Sequence, residues 1–271
     1  MNTQFAPEVL TWWVGMSVLG VVNLFLLGAL WRWLQNKAST ALENLQLVLC
    51  ALYVIGCASR CFVLRSDVAR FAMFDSWFST VLVGRSIATV AEVAFVAQWT
   101  LLLVVLARAA DHQRIRLLGY PIVPLIVAAQ CCAWYGVLTT NYIGQTIEES
   151  LWAFSACLFG LALWILRKQG SVKQQRWMLF GVFGCIAYVL FMTLIDIPNY
   201  YRLWQAKEAA GASYLTLAQG LADVQNMNIT GSYEDWRYPM VWQTLYFSLA
   251  VWASMLMVII PVRLRQAKAS S

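Results

Sequence analysis

Four ionisable residues interrupt long apolar stretches of this chain, and they are Arg60, Arg85, Glu92 and Asp196. A charged side chain in hydrocarbon is costly unless it is paired, hydrated or neutralised, so each of the four is a candidate functional residue. Guanidinium groups match carboxylates and phosphates in shape and charge, and a buried carboxyl can carry a proton. The set therefore predicts a site that binds a small anionic or amphipathic ligand.

Arg85 and Glu92 are seven residues apart, which places them on one face of a helix, two turns from each other. The separation is about 10 Å along the axis, and helical side chains lean toward the N-terminus, which carries Arg85 away from Glu92. A direct ion pair between them is not expected. Glu92 is instead expected to take up and release a proton, with Thr89 between the two charges on a polar stripe.

The elements that must position these residues are seven apolar runs. A bilayer span needs about 20 mostly apolar residues. The runs cover 10–34, 45–63, 78–107, 117–138, 149–167, 177–200 and 240–263. With 61% hydrophobic and 12% charged residues, the chain has the composition of a membrane protein. The sequence predicts an all-α integral membrane protein, a single seven-helix bundle over residues 1–271.

The distribution of basic residues predicts the topology. Most of the nineteen Lys and Arg residues flank the first, third and fifth connections or lie in the C-terminal tail. The positive-inside rule then puts the N-terminus outside and the C-terminus in the cytoplasm. Arg60, Arg85 and Asp196 fall one or two turns below the outer ends of their helices and are expected to share one layer, with Glu92 near the midplane. The segment 201–239 becomes an external loop, either a lid or an ordinary surface loop.

Several classes of site find no support in the residues. The single histidine, His112, lies in a basic connection, so haem ligation and histidine-based metal sites are not expected. All seven cysteines fall inside the apolar runs, which argues against an external disulfide framework. The net charge of +6 is explained by loops beside the spans and implies no nucleic-acid partner. No cofactor and no metal are predicted, and the expected partners are membrane lipids and the small ligand.

The leading hypothesis is a multi-pass plasma-membrane protein, in a bacterium the inner membrane, that binds its ligand in an outward-facing polar cavity for transport or sensing. Arg60 and Arg85 would bind the anion, Asp196 would orient an arginine, and Glu92 would couple occupancy to protonation. One alternative is an integral-membrane enzyme acting on a lipid or isoprenoid-like substrate, with Glu92 as the acid or base. A second alternative is a structural or assembly subunit of a membrane complex. Whether the chain is an enzyme is left open.

Overall fold

The structure is a computed structural model that describes residues 5–37 and 39–269, and helices account for most of them. The α-helices are α1 (Pro7–Gln35), α2 (Ala41–Phe62), α3 (Val81–Ala109), α4 (Arg116–Gly119), α5 (Ile122–Thr139), α6 (Ile143–Leu166), α7 (Val172–Phe191), α8 (Ile197–Ala209), α9 (Leu217–Asp223), α10 (Tyr233–Leu245) and α11 (Val251–Ala269). The strands are β1 (Arg65–Ser66), β2 (Phe71–Ala72) and β3 (Asn228–Ile229). Two π-helical turns, Met192–Asp196 and Tyr246–Ala250, connect α7 to α8 and α10 to α11.

Seven helical segments in the described part of the chain are long and apolar enough to cross a bilayer. They are Pro7–Gln35, Ala41–Phe62, Val81–Ala109, Arg116–Thr139, Ile143–Gln169, Gln174–Ala209 and Tyr233–Gln266. Each overlaps one predicted apolar run, so the prediction of seven helices is confirmed. Large apolar side chains such as Phe25, Phe180 and Leu194 point outward, and each is more than two-thirds exposed in the absence of lipid. The protein is therefore a multi-pass membrane protein.

The helices extend beyond several apolar runs. The sixth predicted run ends at residue 200, but helical structure continues through the π turn Met192–Asp196 into α8 and ends at Ala209. Pro198 lies in the first turn of α8, directly after the π turn, and its missing backbone N–H leaves one helical hydrogen bond unmade there. Helices also cover much of the segment predicted as the loop 201–239, because α8, α9 and α10 all include parts of it.

By its internal contacts the chain divides into two compact units. Unit 1 comprises Met1–Phe95 and Ala222–Ser271, and unit 2 comprises Val96–Leu221. In unit 1, α2 packs against both α1 and α11. In unit 2, α6 packs against α5, α7 and α8.

Glycines bring α5 and α6 of unit 2 close together. A Cβ atom built on Gly144 would lie 2.6 Å from the carbonyl oxygen of Cys132 and 2.7 Å from the Cα of Gly136. Both contacts are to backbone, which cannot rotate away as a side chain can. Small residues at such positions let helix backbones approach in lipid, where packing rather than hydrophobic burial drives association.

Replacing Gly144 by alanine should therefore lower the free energy of unfolding by about 1–3 kcal/mol, the usual cost of overpacking. Gly184 in α7 is the matched control, because a Cβ atom there would meet nothing within 4 Å. Gly184→Ala should be neutral or stabilising by up to about 1 kcal/mol, since alanine is the better helix former. Denaturant unfolding in micelles, followed by circular dichroism, measures both. Equal stabilities for the two variants would contradict the close approach.

At one end of unit 1, two segments fold together into what we call the cap, residues 63–80 and 222–232. Strand β1 pairs antiparallel with β2, and β2 pairs in parallel with β3 from the second segment. Arg70 ends the turn between β1 and β2 with a φ of 56°, and its Nη1 donates to the carbonyl oxygen of Asp223 at 2.7 Å and to its Oδ2 at 2.9 Å. Trp236 is fully buried beside the cap, with its ring edge-on to Phe71. The cap thus joins two segments that are far apart in the sequence.

Candidate functional site

Three of the four predicted site residues belong to unit 1 and are buried there. Arg60 lies in the last turn of α2, and Arg85 and Glu92 lie on α3. Their exposed fractions are 7%, 7% and 8%. The expectation that Arg85 and Glu92 would not pair is wrong, because Arg85 Nη2 lies 3.6 Å from Glu92 Oε2. The tilt of helical side chains toward the N-terminus is set by χ1 alone. The further torsions of the long arginine side chain let its guanidinium turn back along the helix toward Glu92.

Arg60 and Glu92 line the same small void between helices. Its volume is about 10 Å³, and its wall includes Gly56, Ala91 and Phe247. A space of that size holds at most about one water molecule. Small residues let α2 and α3 pack closely beside the void, since a Cβ atom on Gly56 would lie 2.7 Å from the Cβ of Ala91. Ala88, Ala91 and Ala94 of α3 are buried, as expected for small residues at a helix interface.

A π-helical turn supplies the remaining wall of the void. Tyr246 and Phe247 begin the π turn Tyr246–Ala250 and both line the void. The turn is held by Asn23 of α1, whose Nδ2 donates to the carbonyl oxygen of Phe247 at 2.8 Å. The Oδ1 of Asn23 accepts from Trp252 Nε1 at 3.1 Å. Single π turns inside longer helices are frequent at functional sites, because they turn side chains out of the regular helical register.

Asp67 in the cap is the carboxylate that faces Arg60. Its Oδ2 lies 3.8 Å from Arg60 Nη2. The Arg60 guanidinium also lies against aromatic rings, with its central carbon 5.9 Å from the Trp242 ring centre and 5.8 Å from that of Phe247. Such rings attract a guanidinium electrostatically. Arg60 is thus held by one carboxylate and two aromatic rings within unit 1.

A second arginine, Arg65, approaches Asp67 from the cap. Its Nε lies 3.3 Å from Asp67 Oδ1, and its Nη1 donates to the carbonyl oxygen of Phe78. Gly84 gives the Arg65 guanidinium its place against α3, because a Cβ atom there would lie 2.1 Å from Arg65 Nε and the guanidinium would have to shift. Burial lowers the pKa of Arg65 to about 10, an effect that Asp67 opposes and the positive charge of Arg60 reinforces. Arg65 therefore remains charged at neutral pH.

Two ion-paired groups, Arg60–Asp67–Arg65 and Arg85–Glu92, meet at the void that Arg60 and Glu92 line, and we call these five residues the arginine cluster. The cluster contains three guanidinium groups and two carboxylates, so it carries one formal positive charge in excess. The sequence identified three of its members because they interrupt apolar runs. Arg65 and Asp67 were missed, since charges just beyond the end of a run are typical of an ordinary loop.

Asp196, the fourth predicted residue, lies in unit 2. It is the last residue of the π turn Met192–Asp196 and is 8% exposed. The ion pairs described above join Arg60 to Asp67 and Arg85 to Glu92. The predicted role of Asp196 in orienting an arginine stays a prediction.

The chemistry available to the arginine cluster is the binding of anions and the transfer of protons. Its guanidinium groups can donate to carboxylate or phosphate oxygens, and its carboxylates can accept protons. In residues 5–37 and 39–269, no three His, Cys, Asp or Glu side chains gather in a way that could hold a metal ion. No protein-family model matches the chain, and no match was found among curated proteins or solved structures.

Proposed function

We propose that this membrane protein binds a small anionic ligand at the arginine cluster, reached from outside the plasma membrane, and couples binding to protonation of Glu92 for transport or sensing. The observation that carries the proposal is that Arg60 lines the same void as Glu92, the ion-pair partner of Arg85, between apolar helices of unit 1. The positive-inside rule places the cap on the outer side. In a bacterium the membrane would be the inner membrane.

Competition for the guanidinium groups is the proposed mechanism. An incoming carboxylate or phosphate would replace Glu92 at Arg85 and Asp67 at Arg60, because the guanidinium fork binds either type of anion. A carboxylate released inside hydrocarbon is costly as an anion. Glu92 therefore takes up a proton when the ligand binds and returns it when the ligand leaves. Asp196 stays a proposed member of the site.

Ligand entry requires movement of the helices around the void. A space for one water molecule is too small for even a short carboxylate. The void is bounded by α2, α3 and the π turn after α10. Since the turn departs from regular helical hydrogen bonding, it is the element we expect to shift when the site opens.

Proton uptake on ligand addition tests the proposal. The purified protein is placed in lipid nanodiscs in weak buffer with a pH indicator, and acetate, lactate, succinate or inorganic phosphate is added. At least one of these probes should cause saturable uptake of about one proton per protein, as one carboxyl group requires. Glu92→Gln should abolish this uptake while preserving the fold, because the amide oxygen can still accept a hydrogen bond from Arg85.

Glu8→Gln is the matched control, since Glu8 is an exposed carboxylate at the start of α1. This variant should take up as many protons on ligand addition as the unmodified protein does. The proposal is wrong if no probe binds, or if Glu92→Gln takes up protons as the unmodified protein does. Transport and sensing are then separated in proteoliposomes, where only a transporter accumulates the labelled anion in response to a pH gradient.

A further inference from the structure

A larger cavity lies in the cap, between its two segments. Its volume is about 550 Å³, within the range of about 300–1,000 Å³ typical of small-molecule sites. The first segment contributes residues from Arg70 to Thr80, and the second contributes residues from Asp223 to Ile229. We call this cavity the cap cleft. It is separate from the void beside Glu92, with which it shares no lining residue.

Neutral hydrogen-bonding groups dominate the walls of the cap cleft. The hydroxyl groups belong to Ser76, Ser79 and Thr80, and the amides belong to Gln225, Asn226 and Asn228. The Ser76 and Ser79 hydroxyls hydrogen-bond to each other at 2.9 Å, and Thr80 Oγ1 donates to the carbonyl oxygen of Trp77 at 2.8 Å. The exposed amides of Gln225 and Asn228 can both donate and accept hydrogen bonds, and the exposed Ser76 hydroxyl adds further capacity. Such a surface is complementary to a ligand whose own groups donate and accept, which is the property of an alcohol.

The charges of the cap cleft disfavour an anion. Among the described residues, Arg70 supplies the guanidinium on its wall, and it is bound to the Asp223 carboxylate at 2.9 Å and to the Asp223 carbonyl oxygen. The Asp223 carboxylate also accepts from Asn226 Nδ2 at 2.6 Å. Asp75 adds a further, exposed carboxylate to the wall. Two carboxylates against one guanidinium repel the type of ligand that the arginine cluster attracts.

One aromatic ring completes the cleft. Phe74 lines it and is half-buried, and its ring is fixed edge-on against Trp13 at a centroid distance of 5.3 Å. A fixed ring offers an apolar surface to the C–H groups of a ligand, while the surrounding hydroxyls and amides bind its polar groups. Sites with an apolar element and several convergent polar groups are typical of small-molecule binding.

We propose that the cap cleft is a second binding site, which takes a small neutral polyol of the size of a monosaccharide. The hydroxyl groups of such a ligand can bond to the exposed Gln225 and Asn228 amides and donate to the Asp75 carboxylate, and a neutral ligand is not repelled by the carboxylates of the cleft. Bound between the two segments, the polyol adds contacts to those already made by Arg70 and by the β2–β3 pair. Binding of the polyol therefore stabilises the association of the two cap segments.

Calorimetry on the full chain in nanodiscs tests this site, with D-glucose, D-galactose and myo-inositol as probes. At least one should bind saturably, and Gln225→Ala and Asn228→Ala should each weaken it by about tenfold, as expected for the loss of one good hydrogen bond. Asn36→Ala, which changes an exposed amide at the end of α1, should have no effect. Hydrogen exchange of residues 222–232 should slow when the probe is bound.

The inference is overturned if none of the three polyols binds, or if binding survives both cleft substitutions unchanged. It is also overturned if spermidine, a polyamine, binds the cleft and the polyols do not, since the site would then recognise cations. Polyol binding should take up no proton and should persist in Glu92→Gln. A failure here is thus distinguishable from a failure of the proposed anion site.

Discussion

Replacing Asp67 by alanine should lower the free energy of unfolding by about 3–5 kcal/mol, the cost of leaving a buried charge without its partner. Asp67 lies 3.8 Å from Arg60 and 3.3 Å from Arg65, and the side chains of all three are nine-tenths or more buried. Its removal leaves two guanidinium groups facing each other with no carboxylate between them. Their mutual repulsion adds to the cost of burial, so we expect an effect at the upper end of the range.

Denaturant unfolding in micelles measures this effect, and Asp75→Ala is its matched control. Asp75 is an aspartate of the same cap segment, but it is exposed, so its loss should change the free energy of unfolding by no more than about 0.5 kcal/mol. Asp67→Asn should lie between the two, because the amide keeps the shape and one acceptor oxygen but loses the charge. Equal stabilities for Asp67→Ala and Asp75→Ala would show that water solvates the guanidinium groups of Arg60 and Arg65.

The seven helices could be predicted from the sequence because of the physics of the bilayer. Backbone polar groups in hydrocarbon must be paired within the chain, so a long apolar run forms a helix. The ends of the helices could not be predicted in the same way. Apolar residues mark the part of a helix that lies in hydrocarbon, whereas α6 begins at Ile143 and α8 ends at Ala209, well beyond the runs that indicated them.

The candidate site could be predicted only in part, because only some of its charged residues lie inside apolar runs. Arg60, Arg85 and Glu92 are recognisable because a charge in an apolar run is unusual. Arg65 and Asp67 are buried by the cap, whose parallel β2–β3 pair joins residues from distant parts of the chain. No local pattern indicates such a pairing. The Arg85–Glu92 ion pair was missed because helical geometry fixes the Cα and Cβ atoms, but not the course of a long side chain.

Replacing Arg85 by alanine should also be strongly destabilising, by about 3 kcal/mol or more, because the buried Glu92 carboxylate loses the guanidinium 3.6 Å away. The double variant Arg85→Ala, Glu92→Gln should recover most of this loss, since it leaves no uncompensated charge. A double-mutant cycle built with the Glu92→Gln single variant isolates the interaction between the two residues. Additive changes would show that Arg85 and Glu92 stabilise the fold independently of each other.

An apolar replacement of the pair separates a packing role from the proposed binding role. Buried ion pairs replaced by well-packed apolar residues of similar size often leave a protein as stable as before or more stable. The double variant Arg85→Met, Glu92→Leu should therefore unfold at the same denaturant concentration as the unmodified protein, or at a higher one. It should nevertheless take up no proton on addition of the anion that binds the unmodified protein. If this variant kept that proton uptake, the pair would serve helix packing alone, and the proposed coupling of anion binding to Glu92 would be wrong.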